Sequence, residues 1–115
     1  MNAVIDDIDD VEDVLAALAD PTRWRVLDAI AAHGEATATA VAAGLPVSRQ
    51  AVVKHLAVLD RAGLVSGHRQ GREVRYSVRP ERLDATARWM RDVAAAWDAR
   101  LAWIKCLAEA ADRVP

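Results

Sequence analysis

The chain has one cysteine, Cys106, among its 115 residues, so no disulfide can form within it, which suits a reducing cytoplasm. It lacks any apolar run of the ~18–20 residues needed to cross a bilayer, and no membrane partner is expected. Its first residues are acidic and hold no apolar segment behind a basic one, so no signal peptide is expected either. A Gly-rich phosphate loop, a nucleophile elbow and a cluster of histidines with carboxylates are all missing, which leaves an enzyme reading without a catalytic constellation. Glu81 and Asp84, at the start of a helical stretch, read as favourable N-terminal charge rather than as a catalytic pair. The three histidines, His33, His55 and His68, fall on three different elements and read as surface or capping residues. No metal and no cofactor is expected from them. There are also no internal repeats and no low-complexity linker.

What is present is enough for one domain. Apolar residues make up 53% and charged residues 28%, the balance of a chain that buries a core and stays soluble. The net charge of −2 conceals a segregation. Residues 1–20 hold seven acids and no Lys or Arg, whereas residues 48–82 hold eight bases against three acids. A local basic face of this kind serves a site-specific nucleic-acid binder, while the acidic whole argues against non-specific coating.

Residues 1–10 read as an acidic flexible tail and residues 11–112 as the folded domain. From Val11 the apolar residues Val11, Val14, Leu15 and Leu18 have the spacing of a short amphipathic helix. Asp20-Pro21-Thr22 is a helix start, with an acceptor to cap the first N–H groups and a proline at the first helical position. That helix carries Val26, Leu27 and Ile30 inward and stops at Gly34. A short helix over 37–43 closes at Gly44, and Leu45-Pro46-Val47 makes a tight connection. Ser48 then caps a helix from Arg49 to about Ala62, with Val52, Val53, Leu56 and Leu59 as its apolar positions. Two helices joined by such a turn form the helix-turn-helix pattern.

After Gly63 the period changes to an alternating one. Residues 64–69 and 74–78 read as a hairpin with 70–73 at its tip, Gly71 supplying the positive φ. Pro80 ends the second strand, and a long helix follows over 81–112. Its residues Leu83, Ala87, Met90, Ala94, Trp97, Leu101, Ile104 and Ala108 make a heptad-like stripe. A second stripe, Trp89, Val93, Ala96, Trp103 and Leu107, lies on another face. Two apolar faces on one terminal helix predict a partner chain, hence a homodimer built from Val14, Leu18, Trp89, Val93, Trp97, Leu101 and Ile104. Trp24, Trp89, Trp97 and Trp103 read as core and dimer contacts, with a small-molecule effector cavity among the last three as the alternative. Cys106 reads as a small buried hydrophobe.

The resulting class is mainly α with a small β-hairpin, in the order α-α-α-α-β-β-α. The chain resembles the ArsR-type winged helix-turn-helix regulators in this order and in four local phrases over residues 11–105. These are 18–23 (Leu-Ala-Asp-Pro-Thr-Arg), 47–56 (Val-Ser-Arg-Gln-Ala-Val-Val-Lys-His-Leu), 59–65 (Leu-Asp-Arg-Ala-Gly-Leu-Val) and 71–76 (Gly-Arg-Glu-Val-Arg-Tyr). The resemblance implies a dimeric transcriptional regulator, more often a repressor, acting on double-stranded operator DNA. Metal-sensing members carry a Cys-x-Cys pair in the short helix before the turn, or Asp and His ligands along the last helix. Residues 37–43 hold no such ligand and the last helix has no histidine, so the resemblance is to members without those sites.

Bases are read by side chains near the N-terminal half of a helix set in the major groove. Arg49 suits guanine and Gln50 suits adenine. Ser48 and Lys54 suit phosphate, and Val53 and His55 complete the same helix. On the hairpin, Arg69, Arg72 and Arg75 flank a narrow tip fit for a minor groove, with Glu73 among them to orient an arginine or weaken its grip. The competing readings are a protein-interaction module that keeps the fold without DNA binding, and a metal- or thiol-responsive sensor.

Overall fold

The computed structural model describes residues 3–113, with side chains from residue 9 onward. The elements are α1 (Ala3–Leu18), α2 (Pro21–His33), α3 (Ala38–Ala43), α4 (Arg49–Arg61), β1 (Val65–Gln70), β2 (Glu73–Val78) and α5 (Glu81–Asp112), the expected order. One boundary differs. α1 begins at Ala3 rather than near Val11, so residues 3–10, read as a tail, continue the helix. Acids crowding a helix N-terminus complement its dipole, which favours that extension. Asp10 is also tied down, its Oδ1 lying 3.5 Å from Nη2 of Arg82.

The caps fall where their chemistry requires. Asp20 accepts from the N–H of Thr22 at 2.8 Å and of Arg23 at 3.3 Å. Thr37 caps α3 and Ser48 caps α4, each through one N–H at 3.1 Å. Each acceptor satisfies a donor that a helix start leaves unpaired. The Arg23 N–H, with smaller help from that of Thr22 and from the Arg23 charge, lowers the Asp20 pKa despite partial burial.

The core lies where α1, α2, α4 and the start of β1 meet. Val14, Val26, Ile30, Val52, Leu56, Leu59, Leu64 and Val65 are all fully buried. The turn out of α4 depends on Gly63, whose φ of +77° few residues other than glycine adopt. A Cβ there would also lie 2.7 Å from the Arg82 side chain. Arg82 crosses that glycine to donate from Nη1 to the carbonyl of Ala62 at 3.0 Å. One side chain thus joins α1, the end of α4 and the first turn of α5.

The strands pair antiparallel with Gln70 opposite Glu73, which leaves only Gly71 and Arg72 at the tip. Tyr76 exchanges two backbone hydrogen bonds with Ala36, at 2.9 and 3.0 Å, and so fastens the hairpin to the residues preceding α3. Further on, the 32 residues of α5, about 48 Å of helix at 1.5 Å per residue, carry the molecule to a length of 78 Å. α5 packs on α1, and Trp89 and Val93 are half-buried along its first half. Every described residue from Ala94 onward is exposed.

Leu56→Ala removes a fully buried side chain from the centre of the core and lowers unfolding free energy by about 2–5 kcal/mol in denaturant titration. Asp20 adds a pH dependence whose sign follows from its lowered pKa. Its contribution is complete above the ordinary aspartate range and disappears as pH falls through the lowered folded value. The stability gap between the unaltered chain and Asp20→Asn, followed by thermal unfolding from pH 7 to pH 2, is widest at neutral pH and closes in acid.

Candidate nucleic-acid interface

α4 divides cleanly by its helical period. Val52, Leu56 and Leu59 are sealed in the core, while Arg49, Gln50, Val53 and Lys54 are exposed and line one surface recess together. Four of the six residues expected on this helix therefore share a face. Ser48, at its head, uses its hydroxyl oxygen to cap the helix and keeps the hydroxyl proton to donate. Arg49 donates from Nε to Oγ1 of Thr39 at 3.1 Å. This bond braces the guanidinium against α3 and leaves the two terminal nitrogens for a bidentate partner.

His55 does not join that face. It is half-buried and turned toward α2, its Nδ1 3.4 Å from Nη1 of Arg23. The reason is the helical period, which puts residue 55 about 200° from residue 53 and beside the buried Val52 and Leu56.

Opposite the head of α4 stands the hairpin. Thr39, Arg49 and Val53 form one wall of a groove of about 370 Å³, and Arg72, Val74 and Tyr76 the other. Arg72 sits exposed at the tip. The other two arginines part company, because paired residues share a face and successive residues alternate. Arg69 pairs with Val74, on the side of Gly67 and Tyr76, whereas Arg75 pairs with His68 on the opposite side. Arg75 is also engaged, with Nη2 3.3 Å from the Glu73 carboxylate and Nε buried without a hydrogen-bond partner among the described residues. The three arginines expected to act as one set are thus one tip residue and two of opposite facing. His68 lies 3.7 Å from Glu35 on the Arg75 side.

The apolar residues assigned to a dimer contact also divide. Val14 is fully buried in the core and Leu18 packs against it, so Val14 has no side-chain surface to offer a partner; Leu15, 40% exposed, is the outward residue of α1. Trp89 and Val93 are half-buried within the chain. Trp97, Leu101 and Ile104 are more than half exposed, and so are Met90, Trp103 and Leu107. Trp24 is 52% exposed on α2 and is not a core residue. Trp97 and Leu101 flank only an open recess of about 170 Å³ with Arg100, not an enclosed effector cavity. Cys106 is exposed rather than buried. Among the described residues no three His, Cys, Asp or Glu side chains group as a metal ion would require, and no helix is long and apolar enough to cross a membrane.

Thr39 and Arg23 escaped the sequence reading. Each acts on a residue of α4 that lies ten or more positions away, a distance over which periodicity carries no signal.

Comparison with known proteins agrees with this geometry. Residues 18–68 match the helix-turn-helix domain family. The transcriptional repressor SdpR of Bacillus subtilis is 32% identical over 80 residues, covering 70% of this chain and 88% of SdpR. An ArsR-like transcriptional regulator from Rhodococcus sp. RHA1 superposes with a TM-score of 0.80 at 42% identity, over 88% of this chain and 94% of that one. A homodimeric winged helix-turn-helix DNA-binding domain from Mycobacterium bovis gives 0.62 at 28% identity, over 88% and 90%. With the buried and exposed faces of α4, the two-stranded wing and relatives spanning most of its length, the chain belongs to the ArsR-type winged helix-turn-helix transcriptional regulators.

Proposed function

We propose that the chain is a cytoplasmic repressor that binds a two-fold symmetric operator as a homodimer and performs no catalysis. The observation that carries this reading is the outward face of α4, where Arg49, Gln50, Val53 and Lys54 stand together across a groove from the wing-tip Arg72. Residues 11–112 form the working unit, with the acids ahead of them as an extension. Arg49 and Gln50 read bases in the major groove, Val53 offers a methyl surface to thymine, and Ser48 and Lys54 hold phosphates. Arg72 enters the adjacent minor groove and Arg69 assists from the wing, while Arg75 is restrained by Glu73. The repressor role is supported by the similarity to SdpR, and the homodimer by the similarity to the Mycobacterium bovis domain. The dimer contact is the exposed stripe of Met90, Trp97, Leu101 and Ile104 on α5. Two copies of α4 then reach half-sites about 34–36 Å apart.

Binding to genomic fragments that include the chain's own promoter, against random competitor DNA, tests the reading; no selectivity would point to a protein-interaction module instead. Arg49→Ala costs about 1–3 kcal/mol on the operator and relaxes discrimination at one base position. Arg72→Ala weakens all sequences alike and lowers the slope of log K against log salt by about one for each lost phosphate contact. Equal losses on operator and random DNA for Arg49→Ala would remove it from base reading. In sedimentation at micromolar concentration the unaltered chain runs as a dimer, and Trp97→Glu with Leu101→Glu runs as a monomer.

A further inference from the structure

Arg23 lies on α2, yet its side chain serves two other helices. Nε donates to the carbonyl of Ala17 at 2.7 Å, in the last turn of α1. That carbonyl is one of those a helix end leaves without a partner, and a guanidinium there also complements the dipole. Nη1 lies 3.4 Å from Nδ1 of His55 on α4, with both residues half-buried. No carboxylate lies within 4.0 Å of the Arg23 guanidinium among the described residues.

The contact with His55 determines more than position. A guanidinium has only donors, so the imidazole nitrogen facing it must accept. An Nδ1 that accepts from Arg23 leaves the ring proton on Nε2, across the ring from Arg23. Nε2 makes no hydrogen bond among the described residues and is not a buried unpaired atom. It is left as a donor with a fixed direction, on the helix that the proposed function places in the major groove.

We propose that Arg23 is a positioning residue for operator binding: it holds His55 as the Nε2–H tautomer, and that N–H donates to a phosphate oxygen of the DNA backbone. The inference rests on the proposed DNA-binding function. It returns His55 to the interface as a phosphate contact at the flank of α4 rather than a base reader on its outer face. It also makes Arg23 a link between α1 and α4, acting on DNA without touching it.

The test uses the full chain. Long-range proton–nitrogen NMR correlation distinguishes the two imidazole tautomers, with the His55 signals identified by their loss in His55→Ala. The expected pattern is Nε2–H for the unaltered chain and a tautomer mixture for Arg23→Gln. Operator affinity, measured where thermal melts show every variant fully folded, falls about tenfold for Arg23→Gln and about tenfold for His55→Ala. Their combination falls no further, since both remove one contact. His55→Gln, whose amide supplies a donor near the Nε2 position, retains affinity within about threefold. An Nδ1–H tautomer in the unaltered chain, or losses that multiply in the double variant, would overturn this inference while leaving the DNA-binding reading intact. Absence of operator binding by the unaltered chain would overturn both.

Discussion

The structure depends on the burial of one side of α4. Val52, Leu56 and Leu59 are almost wholly removed from solvent, and they give a helix of only thirteen residues a fixed rotation about its own axis. A short amphipathic helix has little stability alone, so its order comes from tertiary packing. Here the packing does two things at once. It stabilises the domain, and it determines that Arg49, Gln50, Val53 and Lys54 point away from it. A turn of one residue's worth, about 100°, would exchange buried for exposed positions and destroy both properties together. The Ser48 cap and the Gly63 turn complete the restraint by defining where α4 begins and ends.

Charge is distributed to suit the same helix. The acids at the head of α1 and the bases from Arg49 onward sit on different elements, so the small net negative charge coexists with a cationic face. Glu73 makes that face narrower than a count of arginines implies. By pairing with Arg75 it leaves Arg72 as the tip charge, and the wing presents one cation at its end rather than three in a row. Of the wing arginines, Arg72 alone then lines the groove that faces the exposed side of α4.

Most of the architecture was legible in the chain because local rules and tertiary demands agree. Asp20, Thr37 and Ser48 announce helix starts, Gly34 and Gly63 announce stops, and the change from helical to alternating period at residue 64 announces the wing. What stayed hidden involves choices between faces. A hairpin tip placed over four residues rather than two leaves the facing of Arg69 and Arg75 open, since facing follows from register. On α1, Val14 and Leu15 are neighbours in the same apolar pattern, and only packing in the core decides which is internal. The two stripes of α5 read alike as well; Leu83 and Ala87 of one and Trp89 and Val93 of the other are half-buried, and both stripes are exposed from Ala94 onward. The early start of α1 reflects the favourable place of acids at a helix N-terminus, an effect that their polarity, the mark of a tail, conceals in the sequence.

Two arginines outside α4 tie it to α1. Arg82 bridges Asp10 to the Ala62 carbonyl at the exit of α4, and Arg23 bridges the Ala17 carbonyl to His55 in its middle. A displacement of α1 relative to α4 must therefore break or lengthen bonds at two points, in the middle and at the exit of α4, while α1 itself packs on α5, whose exposed stripe is the proposed dimer contact. A ligand or partner that binds one arrangement of α1 and α5 better than another would then change operator affinity by its differential affinity for the two, and by no more than that. α1 is the element such a signal would pass through, because it packs on α5 and is also tied to α4 through Arg23 and Arg82.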